Sequence, residues 1–208
     1  MESLAATERL SQVFSDASVL RAMLDFEAAL ARAEARSGVI PDAAAAAIGD
    51  AANAEGFDTA ELARQALRAG TPAIPLVRML TERVRARDAK AAGFVHWGAT
   101  SQDVVDTALV LLLRQCRPVL EADHERVIRG LRRLSEEHAD TVMLGRTLLQ
   151  PAPPITFGLK AAGWLGAVRR GWARVASRLP EASFRRAARQ ASAGSAAYPR
   201  GSIRRRQL

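Results

Sequence analysis

The chain has 208 residues, one cysteine and a formal net charge of +8. The excess charge is confined to residues 182–208, which hold seven arginines and no acid, whereas residues 1–181 carry 23 basic and 22 acidic side chains. A nearly neutral body argues against a nucleic-acid partner, although the basic tail alone could hold phosphates. Because Cys116 cannot form an internal disulfide and no run of about 18 apolar residues could span a bilayer, we expect a cytoplasmic protein without a membrane segment.

Alanine and leucine dominate while aromatic residues are few, which predicts an all-α fold. Helical spacing of apolar residues predicts short helices over residues 16–37, 41–54, 58–67 and 75–87. One face of the first helix carries Leu20, Met23, Leu24, Glu27, Ala28 and Ala31. We expect the carboxylate on that face, Glu27, to pair with a neighbouring arginine; a functional role is the alternative.

A short polar loop, residues 93–103 (GFVHWGATSQD), precedes the longest apolar-periodic segment. Thr100 or Ser101 is a good helix N-cap, and Asp103 is spaced to complete a capping box with Thr100. Alternatively, the hydroxyls and free backbone N–H groups of this helix start form a cradle for a substrate carboxylate. The two interpretations are compatible, because one hydroxyl can cap the helix while its neighbour binds.

Two long helices are predicted after this loop, one from Gln102 to about Ala139 and one from Thr156 to about Leu179. Pro118 lies within the first and should kink or split it, because proline lacks the N–H of an internal helical bond. Two such helices cannot bury their apolar faces alone. Further helices must therefore come from other copies of the chain, unless the chain stops before its fold is complete.

The segment between the long helices, residues 145–158 (GRTLLQPAPPITFG), contains three prolines between bounding glycines. This composition predicts a stiff, non-helical connector, with Thr156 as the cap of the following helix. A plain interhelical loop would explain it. The polar residues Arg146, Thr147 and Gln150, beside a turn that looks buried, also leave a binding role open.

These patterns divide the chain into three parts. Residues 1–101 are predicted to form an N-terminal helical domain, and residues 102–181 an incomplete central helical bundle. Residues 182–208 have no apolar periodicity and are rich in Arg, Ser, Ala and Gly, so we expect a basic, disordered tail.

Two segments resemble signature regions of the fumarase/aspartase superfamily, in the right order and at the right separation. Residues 96–107 (HWGATSQDVVDT) resemble the first region and residues 145–158 the second, and the likeness extends over about residues 10–180. The resemblance implies a domain of short helices followed by part of a long-helix bundle. It also implies catalysis without a metal or organic cofactor, and a homotetramer whose active sites gather residues from different subunits.

Position 148 distinguishes among branches of this superfamily. Its lyases usually carry histidine there, whereas this chain has Leu148, which can neither donate nor accept a proton. The resemblance therefore favours the cycloisomerase branch, whose members close a lactone ring on a small tricarboxylate. The alternatives are a lyase such as adenylosuccinate lyase, or a non-catalytic helical oligomerisation remnant.

This sequence departs from the family pattern in two ways. The family's third signature region, a flexible loop rich in Gly and Ser, has no counterpart here, and family members are much longer. We expect residues from about 182 onward to be an out-of-frame reading of a GC-rich gene or another form of truncation. The chain as written should then be poorly active.

The resemblance also implies roles for individual residues. His96 is the candidate catalytic residue for proton handling or substrate binding; a loop histidine bonded to backbone is the alternative. Asp103 would orient its loop, and Arg146 would offset the charge of the substrate. The side chains that would hold substrate carboxylates are Thr100, Ser101, Thr147 and Gln150. His124 and His138 have no useful metal-binding spacing, so no metal site is indicated.

Overall fold

The computed structural model describes the backbone of residues 7–196 and the side chains of residues 7–178. The described part is almost entirely helical, which confirms the predicted all-α class, and its strands form one small hairpin. The α-helices are α1 (Glu8–Val13), α2 (Asp16–Arg36), α3 (Asp42–Ala51), α4 (Thr59–Ala69), α5 (Ala73–Arg85), α6 (Ser101–Glu137) and α7 (Phe157–Ala196), with a 3-10 turn at Ala91–Phe94. The strands are β1 (Val142–Thr147) and β2 (Gln150–Thr156).

The chain divides into two compact units, the first containing residues up to Arg114 and the second residues 115–181. In the first unit, the short helices enclose one apolar core. The apolar stripe predicted for α2 is confirmed, because all six of its residues are buried there: Leu20, Met23, Leu24, Glu27, Ala28 and Ala31.

The start of α6 belongs to the first unit rather than to the second. Val104, Ala108 and Leu112 recur at helical spacing and are buried in the N-terminal core. The compact units divide after Arg114, within α6. The predicted domain boundary at residue 101 stays a prediction.

Helix α6 passes through Pro118 without a break. The sequence predicts that this proline kinks or splits the helix, and of these two effects the split is wrong. A single proline removes one internal hydrogen bond, whereas the helix spans 37 residues with many remaining bonds.

The segment predicted to be a stiff, non-helical connector is a two-stranded antiparallel hairpin, so the alternative of a plain interhelical loop is wrong. Thr147 pairs with Gln150, and a register irregularity falls between Leu144 and Gly145. An added Cβ at Gly145 would lie 2.5 Å from the carbonyl oxygen of Pro153, so only glycine fits this close approach. The non-helical character was predicted correctly, but the strand pairing was not.

Two leucines form the turn of this hairpin. Leu148 and Leu149 have φ angles of 45° and 63°, and both side chains are fully exposed. Two-residue hairpin turns with positive φ at both positions normally use Asn-Gly, because leucine is strained in this conformation. The prediction of a buried turn is therefore wrong.

Helix α7 begins as predicted and ends later than predicted. The Leu159 N–H donates to Thr156 Oγ1 at 3.1 Å, which confirms Thr156 as a cap. The helix then continues to Ala196, through part of the segment expected to be disordered. Alanine and arginine are strong helix formers, so intrinsic propensity supports this extension without an apolar stripe. The rest of the expected tail, residues 197–208, lies outside the described residues.

Within the second unit, the end of α6 and the start of α7 approach each other closely at Gly158. An added Cβ there would lie 2.6 Å from the carbonyl oxygen of Ser135, and the Ser135 hydroxyl donates to the Gly158 carbonyl at 3.1 Å.

Across residues 7–196, no helix has the length and apolar character that crossing a bilayer requires.

Replacing Leu148 and Leu149 by Asn-Gly should stabilise the chain. The new residues adopt positive φ without the leucine strain, so we expect the free energy of unfolding to rise by about 1–2 kcal/mol. Urea denaturation would measure this change. As a control, Leu67→Asn alters an equally exposed leucine at ordinary helical φ and should not stabilise the chain. A double variant no more stable than the wild type would contradict the assigned turn strain.

Candidate functional site

The loop between the 3-10 turn and α6, together with the first turn of α6, contains the predicted site residues of the first unit. Ala91 and Ala92 are buried at its start, and Trp97 packs against the core with its ring centroid 6.0 Å from that of Phe94. His96 follows with a φ of 57°, a left-handed conformation that histidine adopts more readily than most residues. Apolar packing on one side thus fixes the loop, and its polar residues lie between this anchor and α6.

His96 is bound to a side chain of α2. Its Nδ1 lies 2.7 Å from Oε1 of Glu27, and the Glu27 side chain is completely buried while that of His96 is 16% exposed. This contact corrects the expectation that Glu27 pairs with an arginine, since its partner is a histidine. The alternative for His96, a bond to backbone, is replaced by a bond to a carboxylate. A carboxylate on an otherwise apolar helix face was the available signal, but residue spacing could not identify its partner.

A second carboxylate, Glu34, lies near this pair. Glu27 and Glu34 are two turns apart on α2 and therefore share a face. The pKa of Glu34 is raised from 4.5 to about 7, mainly by burial and secondly by the negative charge of Glu27, while His96 acts in the opposite direction. The Oε2 atoms of Glu27 and Glu34 are both buried, and neither has a hydrogen-bond partner in the described part of the chain.

The start of α6 is closed by a reciprocal capping box. The Thr100 N–H and hydroxyl both donate to Asp103 Oδ2, at 2.8 and 2.9 Å, and the Asp103 N–H donates to Thr100 Oγ1 at 3.4 Å. The predicted capping box is confirmed, with Thr100 as the N-cap. Ser101 is the first helical residue, and neither its hydroxyl nor its N–H takes part in the box. The hydroxyl of Thr100 therefore caps the helix, and the hydroxyl of Ser101 is not used for capping.

The remaining predicted site residues lie at the tip of the hairpin in the second unit. Thr147 ends β1, Gln150 begins β2 opposite it, and Arg146 pairs with Pro151 in the ladder. All three polar side chains are exposed. The hairpin register brings them to one end of the ladder, where hydroxyl, amide and guanidinium groups are all donors suited to carboxylates.

The structure thus forms two polar groups, one in each compact unit. His96 and Thr100 lie in the loop before α6, Ser101 and Asp103 lie in the first turn of α6, and the hairpin tip carries Arg146, Thr147 and Gln150. Among the residues whose side chains are described, no group of three or more His, Cys, Asp or Glu is arranged to hold a metal ion. The first group offers hydroxyls and one imidazole, and the second offers a hydroxyl, an amide and one guanidinium; each set contains hydrogen-bond donors of the kind that suit anions.

The short N-terminal helices, the capped polar loop and the two long helices define the class of fold, which is all-α. A family model described as lyase matches residues 2–207, and the chain belongs to this family, within the fumarase/aspartase superfamily.

Several known proteins are similar to this chain in sequence or in fold. The chain is 53% identical over 160 residues to 3-carboxy-cis,cis-muconate cycloisomerase of Bradyrhizobium diazoefficiens, a match that covers 77% of this chain and 36% of that protein. It is 47% identical over 169 residues to nitrosuccinate lyase of Streptomyces davaonensis, covering 80% and 36% of the two chains. The crystal structure of 3-carboxy-cis,cis-muconate lactonizing enzyme from Pseudomonas putida superposes with a TM-score of 0.76 at 46% identity, covering 83% and 40%. The chain therefore spans little more than a third of the length of these relatives.

Thr100→Ala and Ser101→Ala should differ in their effect on stability. Loss of the N-cap hydroxyl should lower the free energy of unfolding by about 1 kcal/mol, whereas Ser101→Ala should change it by less than about 0.5 kcal/mol. Chemical denaturation of the two variants under identical conditions measures the difference. Equal destabilisation by both would mean that Ser101 shares the capping role.

Glu34→Gln should change how stability depends on pH. The folded-state pKa of Glu34, about 7, exceeds the value of 4.5 that applies when the chain is unfolded, so the wild type loses stability as pH rises from 4.5 to 7. Because Glu34 is partly exposed, we expect the variant to gain about 1–2 kcal/mol relative to the wild type across this range. Denaturation at pH 4.5, 6 and 7.5 measures it, with the exposed Glu82→Gln as control; parallel wild-type and Glu34→Gln profiles would contradict the shifted pKa.

Proposed function

We propose that this chain corresponds to the N-terminal part of a 3-carboxy-cis,cis-muconate cycloisomerase. The observation that carries the proposal is 53% identity with such an enzyme over 160 residues, together with leucine at position 148. The substrate is a small tricarboxylate of aromatic-compound breakdown.

We further propose that the chain works in the cytoplasm. Its one cysteine, Cys116, is a buried free thiol, and thiols stay reduced in that compartment.

The proposed reaction closes a ring without cleaving the carbon skeleton. One carboxylate oxygen of the substrate attacks a carbon of the conjugated diene and forms the lactone C–O bond. The electron pair of that double bond moves to the adjacent carbon, where a neighbouring carboxylate delocalises it, and an acid of the protein then protonates this carbon. Catalysis therefore requires donors that hold the carboxylates and one proton donor.

The loop before α6 supplies the first group of these donors. The hydroxyl of Ser101 and the N–H groups of the first helical turn would hold a carboxylate, since the capping box uses only the N–H groups of Thr100 and Asp103. Thr100 and Asp103 fix the shape of the loop. His96, with its imidazole 16% exposed, would bind the substrate or move the proton.

The hairpin tip supplies the second group. Thr147 and Gln150 would hold a further carboxylate, and Arg146 would balance the charge of a trianionic substrate. We propose that these residues meet the first group in a homotetramer, in which different subunits contribute to each pocket. The exposed apolar side chains of the long helices support assembly, since they would be unburied in a monomer: Leu109, Val127, Leu159, Trp164 and Val175.

Position 148 favours the cycloisomerase over a lyase. Acid–base cleavage of the adenylosuccinate lyase type uses an imidazole in this region, and Leu148 cannot transfer a proton. The 47% identity with a nitrosuccinate lyase keeps C–N bond cleavage as the second candidate. A third candidate is a non-catalytic helical fragment that only oligomerises. The expectation that residues from about 182 onward are read out of frame stays a prediction.

A chimera tests the proposed activity. Residues 1–181 would replace the matching part of the Bradyrhizobium diazoefficiens cycloisomerase, which supplies the remaining two thirds of the enzyme. We expect this chimera to lactonise 3-carboxy-cis,cis-muconate, seen as loss of the ultraviolet absorption of the diene. A folded, tetrameric chimera that fails to do so would contradict the proposal, and turnover of nitrosuccinate instead would favour the lyase.

Within the active chimera, Ser101→Ala should weaken substrate binding. A hydroxyl that donates to a carboxylate contributes about 1.5–3 kcal/mol, so KM should rise by about 10- to 100-fold. Steady-state kinetics measure this change, and Thr107→Ala, six residues further along α6, is the matched control. If Ser101→Ala has the same KM as the wild type, the loop does not hold a carboxylate through this hydroxyl.

A further inference from the structure

The buried Glu27 has no evident role in stability. Its side chain is completely buried, Oε1 has His96 as its partner, and Oε2 has no hydrogen-bond partner among the described residues. Burying a carboxylate with incomplete compensation costs several kcal/mol, and an apolar side chain of similar size is often neutral or stabilising at such a position. Because the core does not require this carboxylate, its presence indicates that Glu27 acts on the group that it contacts, the imidazole of His96.

The bond to Glu27 sets the chemical state of the imidazole. An ionised carboxylate can only accept hydrogen bonds, so with Glu27 ionised the 2.7 Å contact requires the Nδ1 atom of His96 to be the donor. When the ring is neutral, Nε2 then has a free lone pair and can accept a proton or a hydrogen bond. The tautomer and the ring orientation therefore follow from one contact between α2 and the loop.

Two further observations agree with a positioning role. His96 has a φ of 57°, and strained backbone of this kind persists where the surrounding structure holds a residue in place. Glu34, on the same face of α2, interacts electrostatically with both Glu27 and His96. The imidazole is thus faced by two carboxylates from a single helix.

We propose that Glu27 is a positioning residue, which holds the His96 ring in one orientation with its proton on Nδ1 and so presents Nε2 to the substrate. The reaction that His96 would serve rests on the proposed function, whereas the effect of Glu27 on the imidazole ring is a property of this chain alone. Glu27 itself lies too deep to touch the substrate, so it acts through His96.

Nitrogen-15 NMR of the 208-residue chain, labelled at histidine, tests the structural part without any enzymatic activity. The His96 resonances are assigned by their loss in His96→Asn. Above neutral pH we expect the wild-type His96 ring to carry its proton on Nδ1, and Glu27→Leu to shift the tautomer towards Nε2–H. A wild-type ring protonated on Nε2, or a tautomer unchanged in a folded Glu27→Leu variant, would overturn the proposal.

Kinetics of the chimera test the consequence for the reaction. Glu27→Leu should lower kcat by at least about tenfold with little change in KM, and should cause no further loss in a His96→Asn background. Glu27→Gln keeps an oxygen that can accept the Nδ1 proton and should restore most of kcat. The exposed Glu82→Leu on α5 is the control for removal of a carboxylate. Full kcat in Glu27→Leu, or additive losses in the double variant, would overturn the proposal.

The NMR and kinetic experiments together distinguish a failure of this inference from a failure of the proposed function. A chimera without cycloisomerase activity contradicts the proposed function, and the NMR result then decides the inference alone. An active chimera with the wrong tautomer contradicts only the inference.

Discussion

The hydrogen bond between Glu27 and His96 is the constraint on which the site depends. It joins positions 69 residues apart and connects the middle of α2 to the loop that precedes α6. Because α2 is packed into the N-terminal core along its apolar face, the bond transfers the rigidity of that core to the loop. The capping box of Thr100 and Asp103 then fixes the other end of the loop at the first turn of α6. A polar loop without regular structure is thereby held at both ends.

The same loop separates capping from binding. Thr100 is used as the cap of the helix, so in the proposed site Ser101 is the hydroxyl that would hold a ligand, and the N–H groups of the first turn face the same end of α6. At the hairpin, the signature segment has Leu148 at the turn itself, so its polar neighbours can bind an anion but cannot replace an imidazole as acid or base. Binding groups without that imidazole suit ring closure better than eliminative cleavage.

Much of this fold could be predicted from the sequence, because its signals are local. The apolar stripe of α2, the Thr100–Asp103 capping box and the Thr156 cap each depend on residues at most a few turns apart. The partner of Glu27 could not be predicted, since a contact over 69 residues leaves no trace in spacing. The hairpin was missed because Leu148 and Leu149 do not carry the turn signal of Asn-Gly. The extension of α7 to Ala196 was missed because it depends on helix propensity and not on apolar periodicity.

A crystal structure of the chimera with its lactone product bound tests the central claim most directly. The account predicts a product carboxylate within hydrogen-bond distance of the Ser101 hydroxyl at the start of α6, with Nδ1 of His96 still bonded to Glu27 and Nε2 directed to the product. A product bound away from this loop, or a His96 ring turned away from Glu27, would contradict it.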